Sequence, residues 1–145
     1  MSYEYVSLLK RRSSAFMKYA HKATKEGEYD IACFFAEQAV QLGLKALTLR
    51  VLGYIPRVHR IRELLGIIIK TLVNLGRSDL ANNVEELVKS KRDSFKLLED
   101  AYTGSRYLMR TYDIDDAKGC IKIAKKILKV VDEIEEEIFQ RKPLH

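Results

Sequence analysis

The chain has 145 residues, of which 47% are apolar and 32% charged. This length and balance suit one compact globular domain and show no sign of a disordered chain. The formal net charge of +6 favours anionic partners such as nucleic acid, nucleotides or an acidic protein. Many helical proteins are basic only because their surfaces carry many lysines, so the net charge alone does not show that this chain has an anionic partner. We predict a single domain over residues 1–145 with a loose tail at 143–145.

Cys33 and Cys120 are the only cysteines. Both fall on apolar helical faces, which predicts buried free thiols in a reducing compartment; a disulfide between two distant helices is the alternative. Residues 1–10 lack the apolar core of a signal peptide. No apolar run is long enough to span a membrane. We therefore expect a cytoplasmic protein without membrane contact.

The first predicted helix covers residues 3–26, where apolar residues recur at helical spacing until Gly27. The next, 28–53, is apolar on almost every side. Its firmly polar positions form one narrow strip: Asp30, Glu37, Gln41 and Thr48. A helix that is apolar on several sides is surrounded by other helices. We expect 28–53 to be the central helix of a bundle.

Beyond Pro56, apolar spacing predicts a third helix over 61–75 and a fourth over 78–101, with Ser78 as N-cap. Residues 102–112 look least regular. Asp113, Asp115 and Asp116 suit the positive end of a last helix that Pro143 stops. No strand pattern occurs. A partial tetratricopeptide pattern near Gly27 does not recur, which excludes a repeat array. The fold class predicted is all-α, a mainly up-and-down bundle of four to five helices.

No catalytic or metal signature emerges from the residues themselves. The histidines, His21, His59 and His145, lie on different segments, and no Glu-x-x-His pair of the di-iron kind is present. A nucleophile elbow and a Gly-rich phosphate loop are also lacking. We expect neither a metal nor a cofactor.

Arginine and tyrosine are concentrated after the fourth helix. Guanidinium groups bind phosphate bidentately and aromatic rings stack on bases. Two further candidates are Lys45, at the edge of the polar strip, and His59, at the start of the third helix. Structural roles are the alternative for all of these residues, such as packing, capping or a lysine stem lying over apolar neighbours. The candidate binding residues are Arg106, Tyr107, Arg110, Tyr112, Lys45 and His59.

Three pieces of sequence occur in a recognisable order. The first is the central-helix pattern of Ala32, Phe35, Ala36, Glu37, Gln38, Ala39, Leu42, Lys45 and Ala46. The second is His59 before Leu64 and Leu65, and the third is Ser105-Arg106-Tyr107 leading into the final helix. With these pieces the chain resembles the HEPN (higher eukaryotes and prokaryotes nucleotide-binding) domain family over nearly its whole length.

The resemblance implies a bundle of four or five helices that forms a homodimer. It also implies a partner, a small nucleotidyltransferase of the DNA polymerase β type, in a toxin–antitoxin-like pair. Other members are metal-independent ribonucleases, in which four to six residues separate an arginine from a following histidine. This chain departs from that pattern, because positions 111–113 after Arg106 are Thr, Tyr and Asp.

The leading hypothesis is therefore a non-enzymatic module that dimerises and binds a nucleotide, RNA or a nucleotidyltransferase. One alternative is a ribonuclease with an atypical site in which His59 substitutes for the missing histidine. Another is a purely structural oligomerisation module. Dimerisation is also expected without the resemblance, since the central helix has more apolar surface than the other helices of one small chain need to cover.

Overall fold

The computed structural model describes residues 3–139, and within that range all regular structure is α-helical. The all-α prediction is confirmed. The predicted loose tail at 143–145 lies outside the described residues. The helices in chain order are α1 (Tyr3–Lys25), α2 (Tyr29–Leu52), α3 (Ile61–Asn74), α4 (Ser78–Ser90), α5 (Arg92–Tyr107) and α6 (Ile114–Phe139).

Helix α2 is the centre of the bundle, as its composition predicts. It packs against α1, α6, α5 and α3. The main core cluster draws on all six helices, with Phe95, Leu44, Ile127 and Leu64 among its largest fully buried side chains. Because α2 has neighbours on several sides, it needs apolar residues on several sides.

The polar strip of α2 faces inward rather than towards solvent. Glu37, Gln41 and Thr48 are 1%, 4% and 1% exposed. The Nε2 amide of Gln41 donates to Glu37 Oε2 at 2.5 Å, and the hydroxyl of Thr48 donates to the Lys45 carbonyl at 3.0 Å. These polar groups are therefore satisfied within the helix itself, as burial requires.

The predicted fourth helix is two helices. The backbone bends at Lys91 (φ −127°, ψ 37°), which separates α4 from α5. Backbone hydrogen bonds from Lys91 to Leu87 and from Phe95 to Lys91 still bridge the bend. No proline or glycine marks this point, so sequence spacing could not show it. Helix α5 then continues to Tyr107, so that only residues 108–112 of the predicted irregular segment, 102–112, are non-helical.

Capping at three helix ends can be compared with the prediction, and it differs at one of them. Gly53 closes α2 in the left-handed region (φ +84°), a conformation that favours glycine. Ser78 is the first residue of α4 rather than its N-cap. At α6, Asp116 N–H donates to Asp113 Oδ1 at 2.8 Å and Asp113 N–H to Asp116 Oδ2 at 3.0 Å. This reciprocal cap confirms that the aspartates open the last helix.

The two cysteines are free and buried, as predicted. The Cys33 thiol donates to the carbonyl of Asp116 at 3.4 Å. A hydrogen bond with Cys33, followed by burial, raises the pKa of Cys120, which keeps it a protonated thiol. In the described part of the chain, every helix falls short of the length and apolarity that crossing a membrane requires.

Candidate functional site

An open groove of about 730 Å³ lies where the chain between α2 and α3 meets α5. Its lining comes from α2, α3 and α5 and from the chain just before α3 and just after α5. The lining residues are Glu37, His59, Arg60, Arg62, Glu63, Lys96, Glu99, Asp100, Tyr102, Thr103, Gly104, Leu108 and Arg110. The groove is polar and open, which is the character of a site for a charged ligand rather than an apolar one.

Three of the predicted residues line up along one edge of this groove, together with Tyr102. Lys45 Nζ lies 3.2 Å from His59 Nδ1, and the His59 ring stacks on Tyr102 with centroids 6.0 Å apart and planes 12° from parallel. The Arg106 guanidinium lies 5.0 Å from the Tyr102 ring centroid and 4.8 Å from that of Tyr107. We call Lys45, His59, Tyr102 and Arg106 the cation–aromatic column.

Arg106 is held in the column by its own helix. Its Nε donates to the Tyr102 carbonyl at 3.0 Å, and Nη2 donates to the same oxygen. The guanidinium also lies 4.6 Å from the Phe34 ring centroid on α2. Among residues 3–139, no ion pair joins a carboxylate to Arg106. It therefore keeps donors for an incoming anion while its position is set by stacking.

Glu37 lies at the floor of the groove. Burial raises its pKa to about 7, although hydrogen bonds from Gln41 and Gln38 and the charges of Lys45 and Arg106 act in the opposite direction. Burial also lowers the pKa of Lys45, against the attraction of Glu37. The groove thus contains a carboxyl group that gains or loses its proton near neutral pH.

Arg110 and Tyr112 lie apart from the column. The Arg110 guanidinium is 4.5 Å from the Tyr112 ring centroid, and its Nη1 is 3.8 Å from Asp100 Oδ2. Burial raises the pKa of Tyr112 to about 12, and its buried hydroxyl has no hydrogen-bond partner among the described residues. Tyr112 packs on the main core, while Arg110 lines the far wall of the groove.

Most other charges of the groove are paired internally. Arg62 Nη2 lies 2.7 Å from Glu99 Oε1, and the Arg62 backbone N–H donates to Glu99 Oε2 at 2.8 Å, which ties the start of α3 to α5. Lys96 pairs with Asp100 at 3.0 Å. Within the described part of the chain, Lys45 and Arg106 are in no such pair. Their positive charges are therefore the most available to an anionic ligand.

Sequence reasoning missed two members of this site. Tyr102 precedes Arg106 by four residues, a spacing at which helical side chains meet, but the helix was expected to end before it. Glu37 was counted in the polar strip and in the central-helix pattern, but not among the candidate binding residues. No group of His, Cys, Asp or Glu within residues 3–139 is arranged to hold a metal ion.

Comparison with known proteins gives a family and a fold. The sequence model of the HEPN domain matches residues 6–134. The structure resembles that of TT1696 from Thermus thermophilus, with TM-score 0.62 and 24% identity, covering 88% of this chain and 96% of that one. It also resembles ST0689, an archaeal HEPN homologue, with TM-score 0.60, 25% identity, and coverage of 88% and 95%. Comparison with curated protein sequences gave no match.

Proposed function

The chain belongs to the HEPN domain family, and on that premise we propose that it is a binding module for the phosphate and base of a nucleotide or an RNA. The observation that carries this proposal is the cation–aromatic column. It puts Lys45 and Arg106, which no ion pair of the described residues includes, on the same edge as the stacked rings of His59 and Tyr102. Phosphate prefers such cations, and a base can stack on such rings.

The surroundings of His59 support binding rather than catalysis. Metal-independent RNA cleavage needs a group that takes a proton and one that gives it. The Nδ1 of His59 faces Lys45 Nζ at 3.2 Å, and its ring is stacked on Tyr102. This contact orients His59 as a stacking surface, and no arginine precedes it at the spacing of the family's ribonucleases.

The first test is calorimetric titration of the full chain with nucleotides and with a short RNA. We expect Arg106→Ala to weaken binding about tenfold or more, because a charge-assisted hydrogen bond contributes roughly 1.5–3 kcal/mol. Arg11→Ala is the matched control, since Arg11 is an exposed arginine on α1. The proposal fails if the unmodified chain binds neither ligand, or if Arg106→Ala binds as tightly as Arg11→Ala.

A ribonuclease with an atypical site is the second candidate, because one groove holds His59, Arg106 at its edge and a carboxyl, Glu37, that titrates near pH 7. It predicts RNA cleavage in EDTA that His59→Ala abolishes. Intact RNA after prolonged incubation at several protein concentrations would remove this candidate.

A protein partner is the remaining part of the proposal. The family resemblance suggests a second copy of the chain and a small nucleotidyltransferase of the DNA polymerase β type. Exposed apolar residues next to the column support a protein contact there: Tyr107, Leu108 and Met109 are 72%, 61% and 104% exposed. Co-purification of a nucleotidyltransferase that Arg106→Ala leaves unchanged would assign these contacts to surfaces outside the column.

A further inference from the structure

One stripe of α6 carries lysines alone. Between residues 118 and 129, every exposed position of the helix is a lysine. Lys118, Lys122, Lys125 and Lys129 share one face of the helix, within an arc of roughly 60°, and span roughly 17 Å along its axis. We call these four residues the lysine ridge.

Acidic residues flank the ridge on α6, but none lies within it. No acidic residue occurs between 117 and 131 of the sequence. The ion pairs found within residues 3–139 leave all four lysines out. The acidic residues of α6 lie in its first turn and towards its end, where the last turn has no basic residue. The lysines are thus not placed where they would stabilise the negative end of the helix.

Cations from two other segments extend the ridge sideways. On the α1 side the added cation is Lys25. Desolvation, and then the charges of Lys125 and Lys25, lower the pKa of His21, so both lysines act on the same histidine. On the other side, a small pocket of about 80 Å³ lies where the α4–α5 bend meets α6. It is lined by Lys91, Ser94, Gly119, Lys122, Ile123 and Lys126. Three segments therefore concentrate positive potential on one face of the bundle.

We propose that the lysine ridge is a nucleic-acid docking surface that binds the phosphate backbone without reading base sequence. A row of lysines several ångströms apart suits a polymer with a charge on every unit. A protein partner would need an apolar or aromatic anchor at the centre of its contact, and the exposed positions from 118 to 129 offer none. No residue of α6 lines the groove of the cation–aromatic column, so the two surfaces are separate.

The test measures binding of a fluorescent single-stranded RNA, without terminal phosphates, to the full chain at several salt concentrations. The variant replaces Lys118, Lys122, Lys125 and Lys129 together by glutamine. The expected results are an affinity loss of at least tenfold at low salt and a salt slope smaller by about three, since each phosphate contact contributes about 0.7 on single strands. Replacing the same four residues by arginine should preserve both quantities and controls for folding.

Arg106→Ala separates this inference from the proposed function. It should keep the salt slope within about one unit of the unmodified chain, because it removes at most one phosphate contact. An unchanged slope in the glutamine variant would overturn the ridge even if Arg106→Ala abolished nucleotide binding. Absence of RNA binding by the unmodified chain would overturn it as well. Equal affinity for poly-glutamate would show a general polyanion surface and contradict the assignment to nucleic acid.

Discussion

At the scale of single residues, Glu37 links the stability of the fold to pH. Its pKa is raised from 4.5 to about 7 by burial. The folded chain therefore keeps a proton that the unfolded chain releases between these values. The stabilisation is present in full below pH 4.5 and is lost as the pH rises through 7. By linkage the loss is at most about 3 kcal/mol.

We therefore expect Glu37→Gln to remove this pH dependence. An amide has a similar shape and carries no charge, so the variant should be more stable than the unmodified chain at pH 8. Urea unfolding at intervals between pH 5 and 8 measures the difference. Glu63→Gln, at an exposed carboxylate on α3, is the control and should change stability by less than about 0.5 kcal/mol. A Glu37→Gln curve parallel to that of the unmodified chain would contradict the argument.

Candidate site residues could be chosen from the sequence by type, but their arrangement could not be predicted. Arginine and tyrosine after the fourth helix pointed to Arg106 and Tyr107, and the structure places Arg106 in one column with Lys45 and His59. Tyr112 shows why the rest could not be foreseen. Its ring packs on the core, and this depends on the route of residues 108–113, which follows no helical period.

At the scale of helices, two glycines offer a matched comparison. Gly66 lies exposed in α3 with nothing within 4 Å of an added Cβ, whereas a Cβ on Gly104 in α5 would lie 2.9 Å from the Tyr112 hydroxyl. Gly66→Ala should raise the free energy of unfolding by about 0.5–1 kcal/mol. Gly104→Ala should be less stable than Gly66→Ala by about 1 kcal/mol or more, because the rigid tyrosine ring must move.

Removing the hydroxyl tests that explanation. In a Tyr112→Phe background the added methyl group of Gly104→Ala has room, and the helical gain should return. Thermal or urea unfolding of the single and double variants gives the coupling between the two sites. Additive effects of the two substitutions would show that the Tyr112 hydroxyl is not the obstacle.

Helices with a strong apolar period were predictable almost to the residue, as α1, α2 and α3 show. The division between α4 and α5 was not. Lys91 is neither a proline nor a glycine, and its neighbours include good helix formers. The bend comes from packing, because α4 lies on α3 while α5 lies on α2 and α6. Tertiary contacts of this kind override a local propensity that would have continued the helix.

At the scale of the whole molecule, a run of exposed apolar residues follows directly on α5. Helix α2 leaves Ile31, Phe34 and Leu42 only half-buried, so its uncovered area is smaller than its composition predicted. The stronger reason for a dimer is the run of Tyr107, Leu108 and Met109. We expect the chain to form a homodimer through a face that includes these residues.

Light scattering at high micromolar concentration measures this. The double variant Leu108→Lys/Met109→Lys should be a monomer, because the free energy needed to bury two charges in an apolar interface exceeds the free energy that the contact provides. Val73→Lys/Leu75→Lys changes two other exposed apolar residues, 50% and 51% exposed, and should stay dimeric. A monomeric unmodified chain would refute the interface.

The central position of α2 also affects how the chain can be synthesised. Its buried residues are covered by α1, which precedes it, and by α5 and α6, which follow it. As the chain leaves the ribosome, α1 and α2 can pair early. The carboxyl group of Glu37 and the apolar face beside it stay exposed to water until α5 and then α6 have emerged. The nascent α1–α2 hairpin therefore exposes apolar surface until α5 and α6 have been synthesised. Native structure can form only after α6 packs over α2, the helix that organises the fold.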